Sequence, residues 1–406
     1  MTFSKEQKLI LYCSQARTNT ADLDRIKALS TFPMDWQYVL ETALSNGVAP
    51  LLYYNLKKIL PNHDIPSSTL EQLKKVYLTN TAKNMYSVDE LSRILGKFAE
   101  KSIDMMVLKG AALANLVFPD IGLRVYNDID ILVKKEDLQA IETLIPDLGY
   151  ISTKDSIKQK HYREKHYHLA PYIHQEKNII LEVHWNVTKR FPLNIDSWWQ
   201  RSRIAKIAGC PVRVLSPNDL FLHLCIHISN HGFRKIHLRD LCDIYEMIKC
   251  HGEEIKWARF RKEIEHYPIR GEVYSILYYV KRMFCKDDSR LDWITCQQAD
   301  LKSILLLEAL IFCDDRDRVF PGKVSSILIE NKVENKFKAV MNNFVADREF
   351  MAKRYSLALS SKKIYFYYLI RPFMLIIGNR KYIRQFFILK AKEILIKASY
   401  ALRRKA

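Results

Sequence analysis

Apolar and polar positions along this chain follow two different periods, and the change of period divides it. Val88, Leu91, Ile94, Leu95 and Phe98 recur every three or four residues and predict a helix from about Ser87 to Lys101. Upstream, SSTLEQLKKVYL places Ser68 three residues before Glu71, the spacing of a capping box, and predicts a helix start. The texture then shifts. DMMVLKG predicts a short apolar strand ending at Lys109-Gly110, AALANLVF the first turns of a helix, FPDIG a turn and YNDIDILV a second strand. KEDLQAIETLIPDLGY predicts a helix ending near Gly149. In NIILEVHWNV, Ile180, Glu182 and His184 alternate with Leu181, Val183 and Trp185, a strand with two unlike faces.

Beyond this strand–helix–strand–helix–strand run the helical period returns. In LSPNDLFLHLCIHI, Ser216 as N-cap, Pro217 at the first helical position and Asp219 in the first turn predict a sharp helix start, and further helices follow to about residue 360. No internal repeat or low-complexity linker interrupts the pattern. With 406 residues the chain is long enough for two or three subdomains. The pattern divides it into a helical N-terminal region (1–84), an α/β core (85–212), a helical C-terminal domain (213–361) and a basic amphipathic tail (362–406).

A hydrophobic fraction of 48%, with only 11 Gly and 13 Pro, excludes a long disordered region. The eight cysteines form no Cys-x-x-Cys pair, so neither a disulfide framework nor a zinc ribbon is indicated and reduced cytoplasmic thiols are expected. The opening MTFSKEQKLILYCSQ lacks the long apolar centre and small-residue cleavage site of a signal peptide, and no apolar run reaches the length of a membrane span. The formal charge of +19 calls for an anionic partner: nucleic acid, a nucleotide's phosphates or an anionic membrane. More than half of the excess lies in residues 362–406, where twelve basic residues face one acid, Glu393.

The chemistry concentrates on Asp128 and Asp130. Residues i and i+2 of a strand share a face, so the two carboxylates are close enough to hold one or two cations, and burying them without a cation is costly. Mg²⁺ takes carboxylate, phosphate and water oxygens in this way. Glu182, on a later strand, offers a third acid for a metal or for the proton of an attacking hydroxyl. The strand-to-helix turn at Lys109-Gly110 adds backbone N–H groups, a helix N-terminus and a cation, all suited to phosphate. The bland alternative has Asp128 capping a turn and Asp130 paired with Arg124 or Lys109.

The series LKG (108–110), Arg124, NDIDILV (127–133) and LEVHW (181–185), followed by LFLHLCIHISNHGFRKIHLRDLCDI (220–244), resembles the uncharacterised nucleotidyltransferase family of bacteria, within the DNA polymerase β-like superfamily. The resemblance implies an α+β fold, a small mixed β-sheet nucleotidyltransferase core flanked by largely helical N- and C-terminal regions. It implies Mg²⁺ on Asp128, Asp130 and Glu182, and a triphosphate near Lys109, Gly110 and Arg124. Lys109-Gly110 stands where much of the superfamily has Gly-Ser, and Arg124 either holds phosphate or braces the aspartates. The reaction implied moves a nucleoside monophosphate from an NTP to a hydroxyl-type acceptor (a small molecule, sugar derivative, protein or RNA) with release of pyrophosphate. Two rivals are a non-catalytic nucleotide-binding relative and a protein acting on membrane or nucleic acid through its basic tail.

Other motifs favour structural roles. His223, His227 and His231 share a helical face, and packed or hydrogen-bonded histidines are expected there, with one of them near the nucleotide cleft. Asp240 and Asp243 are expected to cap a helix or pair with Arg239. His161, His166 and His168 fall in a basic, Tyr-rich stretch expected to be a loop or hairpin. In the tail, Arg371-Pro372 is expected to break IYFYYLIRPFMLIIG. Ile383, Phe387, Ala391, Ile394 and Ala398 beyond it form a stripe that either covers the protein's own core or lies on the anionic inner face of a membrane.

Overall fold

The structure is a computed structural model and describes residues 3–59, 65–230, 233, 236–285, 288–295, 297–312, 348–355, 357–358 and 360–378. It forms two compact units, one of residues 1–230 and 237–298, the other of 231–236 and 299–406. In the first, four short helices, α1 (Lys5–Cys13), α2 (Thr20–Ser30), α3 (Trp36–Ser45) and α4 (Ala49–Leu56), lead into α5, a single helix spanning Ser67–Glu100. Residue 84 therefore lies inside a continuous helix. The expected capping box at Ser68 is not formed. The helix begins two residues earlier, with Pro66 as N-cap and no side-chain cap, because the proline's fixed extended entry starts the first turn by itself.

The α/β part is one mixed sheet, as the α+β pattern implied. Its strands are β1 (Met105–Val107), β2 (Asp128–Val133), β3 (Tyr150–Ser152), β4 (Tyr172–His174), β5 (Ile180–His184), β6 (Arg203–Ile207) and β7 (Cys210–Val214). They lie in the order β3-β4-β5-β2-β1-β7-β6. The three strands legible in the sequence sit together at the centre, with β2 parallel to β5 and antiparallel to β1. Two antiparallel pairs, β3/β4 and β6/β7, extend the edges. α6 (Lys109–Leu116) follows β1 and α7 (Leu138–Asp147) follows β2, as the periodicity predicted. Between β3 and β4 the Tyr-rich stretch forms a helix, α8 (Ser156–Lys165), rather than a loop. Asp155 starts it by accepting from the Lys158 N–H.

Strand alternation sorts the sheet's two faces. Ile129, Ile131 and Val133 of β2 and Leu181 and Val183 of β5 join Leu91, Ile94 and Phe98 of α5 and Ile141 and Ile145 of α7 in the main core. At about 25 cal/mol per Å² of apolar surface, this burial is the dominant stabilising term, and it locks the register. The opposite face of the same strands is left for Asp128, Asp130, Glu182 and His184.

The loop entering β2 is tied down from two sides. Asn80 donates to the Gly122 and Arg124 carbonyls at 2.8 and 3.3 Å, and Asn84 to those of Ile121 and Arg124 at 2.7 and 2.8 Å. Lys83 adds a bond to the Tyr126 carbonyl. From the other side, buried Arg124 forms a two-pronged ion pair with buried Asp243, at 3.2 and 2.7 Å. α9 (Ile195–Arg201) precedes β6, and α10 (Pro217–Asn230), α11 (Leu238–His251), α12 (Trp257–Ile264) and α13 (Arg270–Phe284) complete the unit. Ser216 caps α10 as expected, accepting from the Asp219 N–H at 3.3 Å. Asp240 also behaves as expected: it accepts from the His237 N–H at the start of α11 and lies 3.6 Å from Arg239.

The second unit contains α14 (Leu301–Leu310), α15 (Arg348–Arg354) and α16 (Lys363–Gly378). α16 runs unbroken through Arg371-Pro372, against the expected break, since one proline within an otherwise apolar helical run does not outweigh the turns on either side. No helix among the described residues is long and apolar enough to cross a membrane. The expected stripe from Ile383 to Ala398 lies outside the described residues.

The Arg124–Asp243 pair makes a stability prediction. Asp243→Ala leaves a buried guanidinium unpaired and is expected to cost about 3–5 kcal/mol in urea unfolding. The apolar double replacement Arg124→Met/Asp243→Leu is expected to cost clearly less than Asp243→Ala. A double variant at least as unstable as the single one would show that the pair is not the cross-tie.

Candidate active site

Three adjoining strands and one helix start converge on Asp130. The parallel register sets Asp130 of β2 directly beside Glu182 of β5, with Asp128 beside Ile180 and Leu132 beside His184. Asp128, Asp130, Glu182 and His184 therefore share one face of the sheet. From β1 the chain turns straight into α6, and the Leu108 N–H donates to the Asp130 carbonyl at 2.9 Å. That bond pins the first turn of α6, whose leading N–H groups have no acceptor within the helix, against the carboxylates. Gly110 sits in this turn because there is no room for more. A Cβ there would come within 3.0 Å of the Tyr126 Cβ and 3.2 Å of the Arg124 guanidinium.

Asp130 is 1% exposed. Its Oδ1 receives the Lys109 ammonium at 3.0 Å and the His184 Nε2 at 3.1 Å, while Oδ2 is buried with no hydrogen-bond partner among the described residues. Burial alone would raise the Asp130 pKa, but the Lys109 and His184 contacts outweigh it and hold the carboxyl well below the usual range. Burial works against the Lys109 charge too, and here Asp130, then Asp128 and Glu182, win and hold the ammonium above its ordinary value. Asp128 goes the other way. Repulsion from Asp130, reinforced by burial, pushes it up to about 6. Two neighbouring carboxylates pushed apart in pKa form an acidic pair short of positive charge.

His184 also approaches Glu182, its Nε2 lying 3.5 Å from Oε2. Burial disfavours the imidazolium, yet Asp130 and Glu182 raise its pKa overall. The segment after α8 closes this side of the site. His168 pairs across to His184 in an antiparallel bridge, the Trp185 N–H donates to the Tyr167 carbonyl, and the His168 and His184 rings lie 5.2 Å apart. The Tyr167 hydroxyl, raised by burial, is within the fields of Lys109, Glu182 and Asp130. From α10, buried His223 lies within the fields of Lys109, His184 and Asp130. Burial, with Lys109 and His184 adding repulsion, pushes it down to about 3, so it is neutral, and its Nδ1 is buried without a partner.

Among the residues singled out in the sequence, the fold gathers Lys109, Gly110, Asp128, Asp130 and Glu182 around one point. Arg124 packs beside Gly110, but its guanidinium is committed to Asp243 rather than to the aspartates. Asp243 in turn pairs with Arg124 and not with Arg239. His184, Tyr167 and His168 were not assigned to the site from sequence. For His184 a signal existed: it sits two residues after Glu182 on the same strand face. Tyr167 and His168 had none, because they arrive by a pairing outside any regular strand.

The residues present fit a divalent cation. Asp130, Glu182 and His184 each offer a ligand atom, all within 4.8 Å of one another, and the second oxygen of Asp130 is free of other bonds. Asp128 adds a fourth donor group on the same face.

A sheet carrying strand-borne acids beside a strand-to-helix turn is the core of a nucleotidyltransferase. The chain belongs to the family described as uncharacterised nucleotidyltransferase, whose model matches residues 33–285, more than half of its length. Among solved structures it is similar to the antibiotic-resistance factor ANT(2'')-Ia, with 15% identity over 45% of this chain and 100% of that one and a TM-score of 0.32. It is also similar to an antigenic nucleotidyltransferase-like protein from Paracoccidioides brasiliensis, with 16% identity over 51% and 92% of the two chains and a TM-score of 0.30. No curated protein matches the chain. Family membership supports a transferase that acts on nucleotides.

His223 gives the site a pH signature. Its folded pKa lies below the ordinary 6.5 of an unfolded histidine, so its contribution to stability is complete above pH 6.5 and declines as pH falls toward 3. Between pH 6.5 and 5 the loss expected from this residue is about 2 kcal/mol. His223→Leu is expected to flatten that part of the stability–pH curve in denaturant titrations. An unchanged slope would mean that His223 is not held neutral.

Proposed function

We propose that the protein transfers a nucleotidyl group from a nucleoside triphosphate to a hydroxyl-type acceptor, with release of pyrophosphate. One observation carries the reading: a buried Asp130 with one oxygen unbonded, flanked by Asp128, Glu182 and His184, at the N-terminus of a helix that begins with a lysine. Family membership supports the same reaction class.

Asp128, Asp130 and Glu182 would hold one or two divalent cations, for which their oxygens suit an ion such as Mg²⁺. When bound, the cation neutralises the triphosphate and the charge that develops as pyrophosphate departs. The first-turn N–H groups of α6 bind phosphate oxygens, and the Lys109 ammonium supplies positive charge beside them. The acceptor hydroxyl attacks the α-phosphorus, forming the new P–O bond as the bond to pyrophosphate breaks. Glu182 takes the hydroxyl proton. Arg124 is a positioning residue, bracing the chain ahead of β2 through Asp243. The acceptor is a small molecule, a sugar derivative, a protein or RNA.

Two measurements test this. Asp128→Asn/Asp130→Asn is expected to abolish Mg²⁺-dependent triphosphate binding in calorimetry while the fold persists by circular dichroism. Unchanged affinity would remove the carboxylates from the site. Incubation of the full chain with each α-labelled NTP, Mg²⁺ and cell extract is expected to move label onto a product. Tight nucleotide binding with no transfer under any NTP would instead identify a non-catalytic nucleotide-binding relative.

A further inference from the structure

The acids are not alone on their face of the sheet. An imidazole stands among them, held as firmly as they are. His184 is 5% exposed, its backbone is bridged to His168, and its ring is bounded by those of His168 and Tyr167, with centroids 5.2 and 6.0 Å away. It cannot swing out of the cluster without breaking that packing. Its Nε2 faces Asp130 Oδ1 at 3.1 Å and Glu182 Oε2 at 3.5 Å. Neighbouring donors on an octahedral ion with bonds of about 2.1 Å lie roughly 3.0 Å apart, and one ligand atom from each of Asp130, Glu182 and His184 lies within 4.8 Å of the others, so modest shifts bring the three groups to adjacent corners of one coordination shell. Asp128 is outside this group: it lies beside Ile180, one step back along the strand, and is not among the three residues whose ligand atoms cluster.

We propose that Asp130, Glu182 and His184 bind a single divalent cation, and that the imidazole makes this position select Mn²⁺ over Mg²⁺. The proposal rests on the functional reading above and adds the identity of the preferred ion. Mg²⁺ seeks oxygen donors and water and has little use for a nitrogen ligand. Mn²⁺ takes carboxylates equally well and gains more from imidazole. Among the three side chains the donors are two carboxylates and one nitrogen, with no thiolate to draw the softer metals. Lys109 occupies only Oδ1 of Asp130 and leaves the partnerless Oδ2 for the ion. Asp128 remains for the triphosphate side, where a second, oxygen-ligated cation accompanies the nucleotide.

The test uses the full chain with Mn²⁺ and Mg²⁺ as probes. Mn²⁺ binding, followed by loss of the free-ion paramagnetic resonance signal, is expected to be about tenfold or more tighter than Mg²⁺ measured by competition. Pulsed resonance of the bound Mn²⁺ is expected to show coupling to a directly ligated nitrogen, and to change to the ¹⁵N pattern when the histidines are ¹⁵N-labelled. His184→Asn is expected to lose the coupling and bring the Mn²⁺/Mg²⁺ preference down to within about threefold. The wild-type measurement needs no variant, so a misfolded His184→Asn would not remove the test. Bound Mn²⁺ without nitrogen coupling, or equal affinity for the two ions, overturns the ion assignment and leaves the function standing. If neither ion binds the wild type, with or without NTP, both fall. Absence of label transfer alongside intact nitrogen coupling overturns the function alone.

Discussion

A carboxylate with 1% exposure on a central strand is the constraint around which this molecule is arranged. An isolated charge in such a place is too costly to keep, so Asp130 requires positive partners within bonding distance. Lys109 and His184 meet that need on one oxygen only. The other oxygen, with Asp128 and Glu182 nearby, keeps the cluster rich in negative charge. A cluster arranged for stability alone would have satisfied both oxygens; this one leaves a deficit of the kind a ligand cation would fill.

Precision at Asp130 is supplied from outside the sheet. Asn80 and Asn84 of α5 bond the carbonyls of the loop that feeds β2, and the Arg124–Asp243 pair ties that loop to α11. Gly110 lets the start of α6 press against Tyr126. The helical parts on either side of the α/β core thus act as struts for its central strand. For the same reason α5 is one helix from Ser67 to Glu100: its N-terminal half holds the loop while its C-terminal half buries Leu91, Ile94 and Phe98 under the sheet.

Much of the centre was legible in the chain. The period-2 alternation in DIDILV and ILEVH revealed which side chains share a face, and the resemblance linked Asp128, Asp130, Glu182 and Lys109-Gly110 in order. Shorter elements left weaker traces. β3 and β4 have three residues each, too few for a period to declare itself, and the sequence around α8 is so polar that its apolar stripe is faint. His184 was visible as a face-mate of Glu182, but its contact with Asp130 depends on a parallel register that no local pattern encodes. Tyr167, His168 and His223 belong to segments brought in by tertiary packing, and Arg124 chose Asp243 from 119 positions away.

The strand pairings carry a consequence for folding. β1 pairs in parallel with β7 across more than a hundred residues, and β2 with β5 across about fifty, so the centre of the sheet closes through long stretches of chain. Asp130 meets Glu182 and His184 only through the pairing of β2 with β5. A cation bound there would favour the paired sheet over states in which those strands are apart, and so stabilise the fold. Ion supply and the fraction of folded protein would in this way be linked.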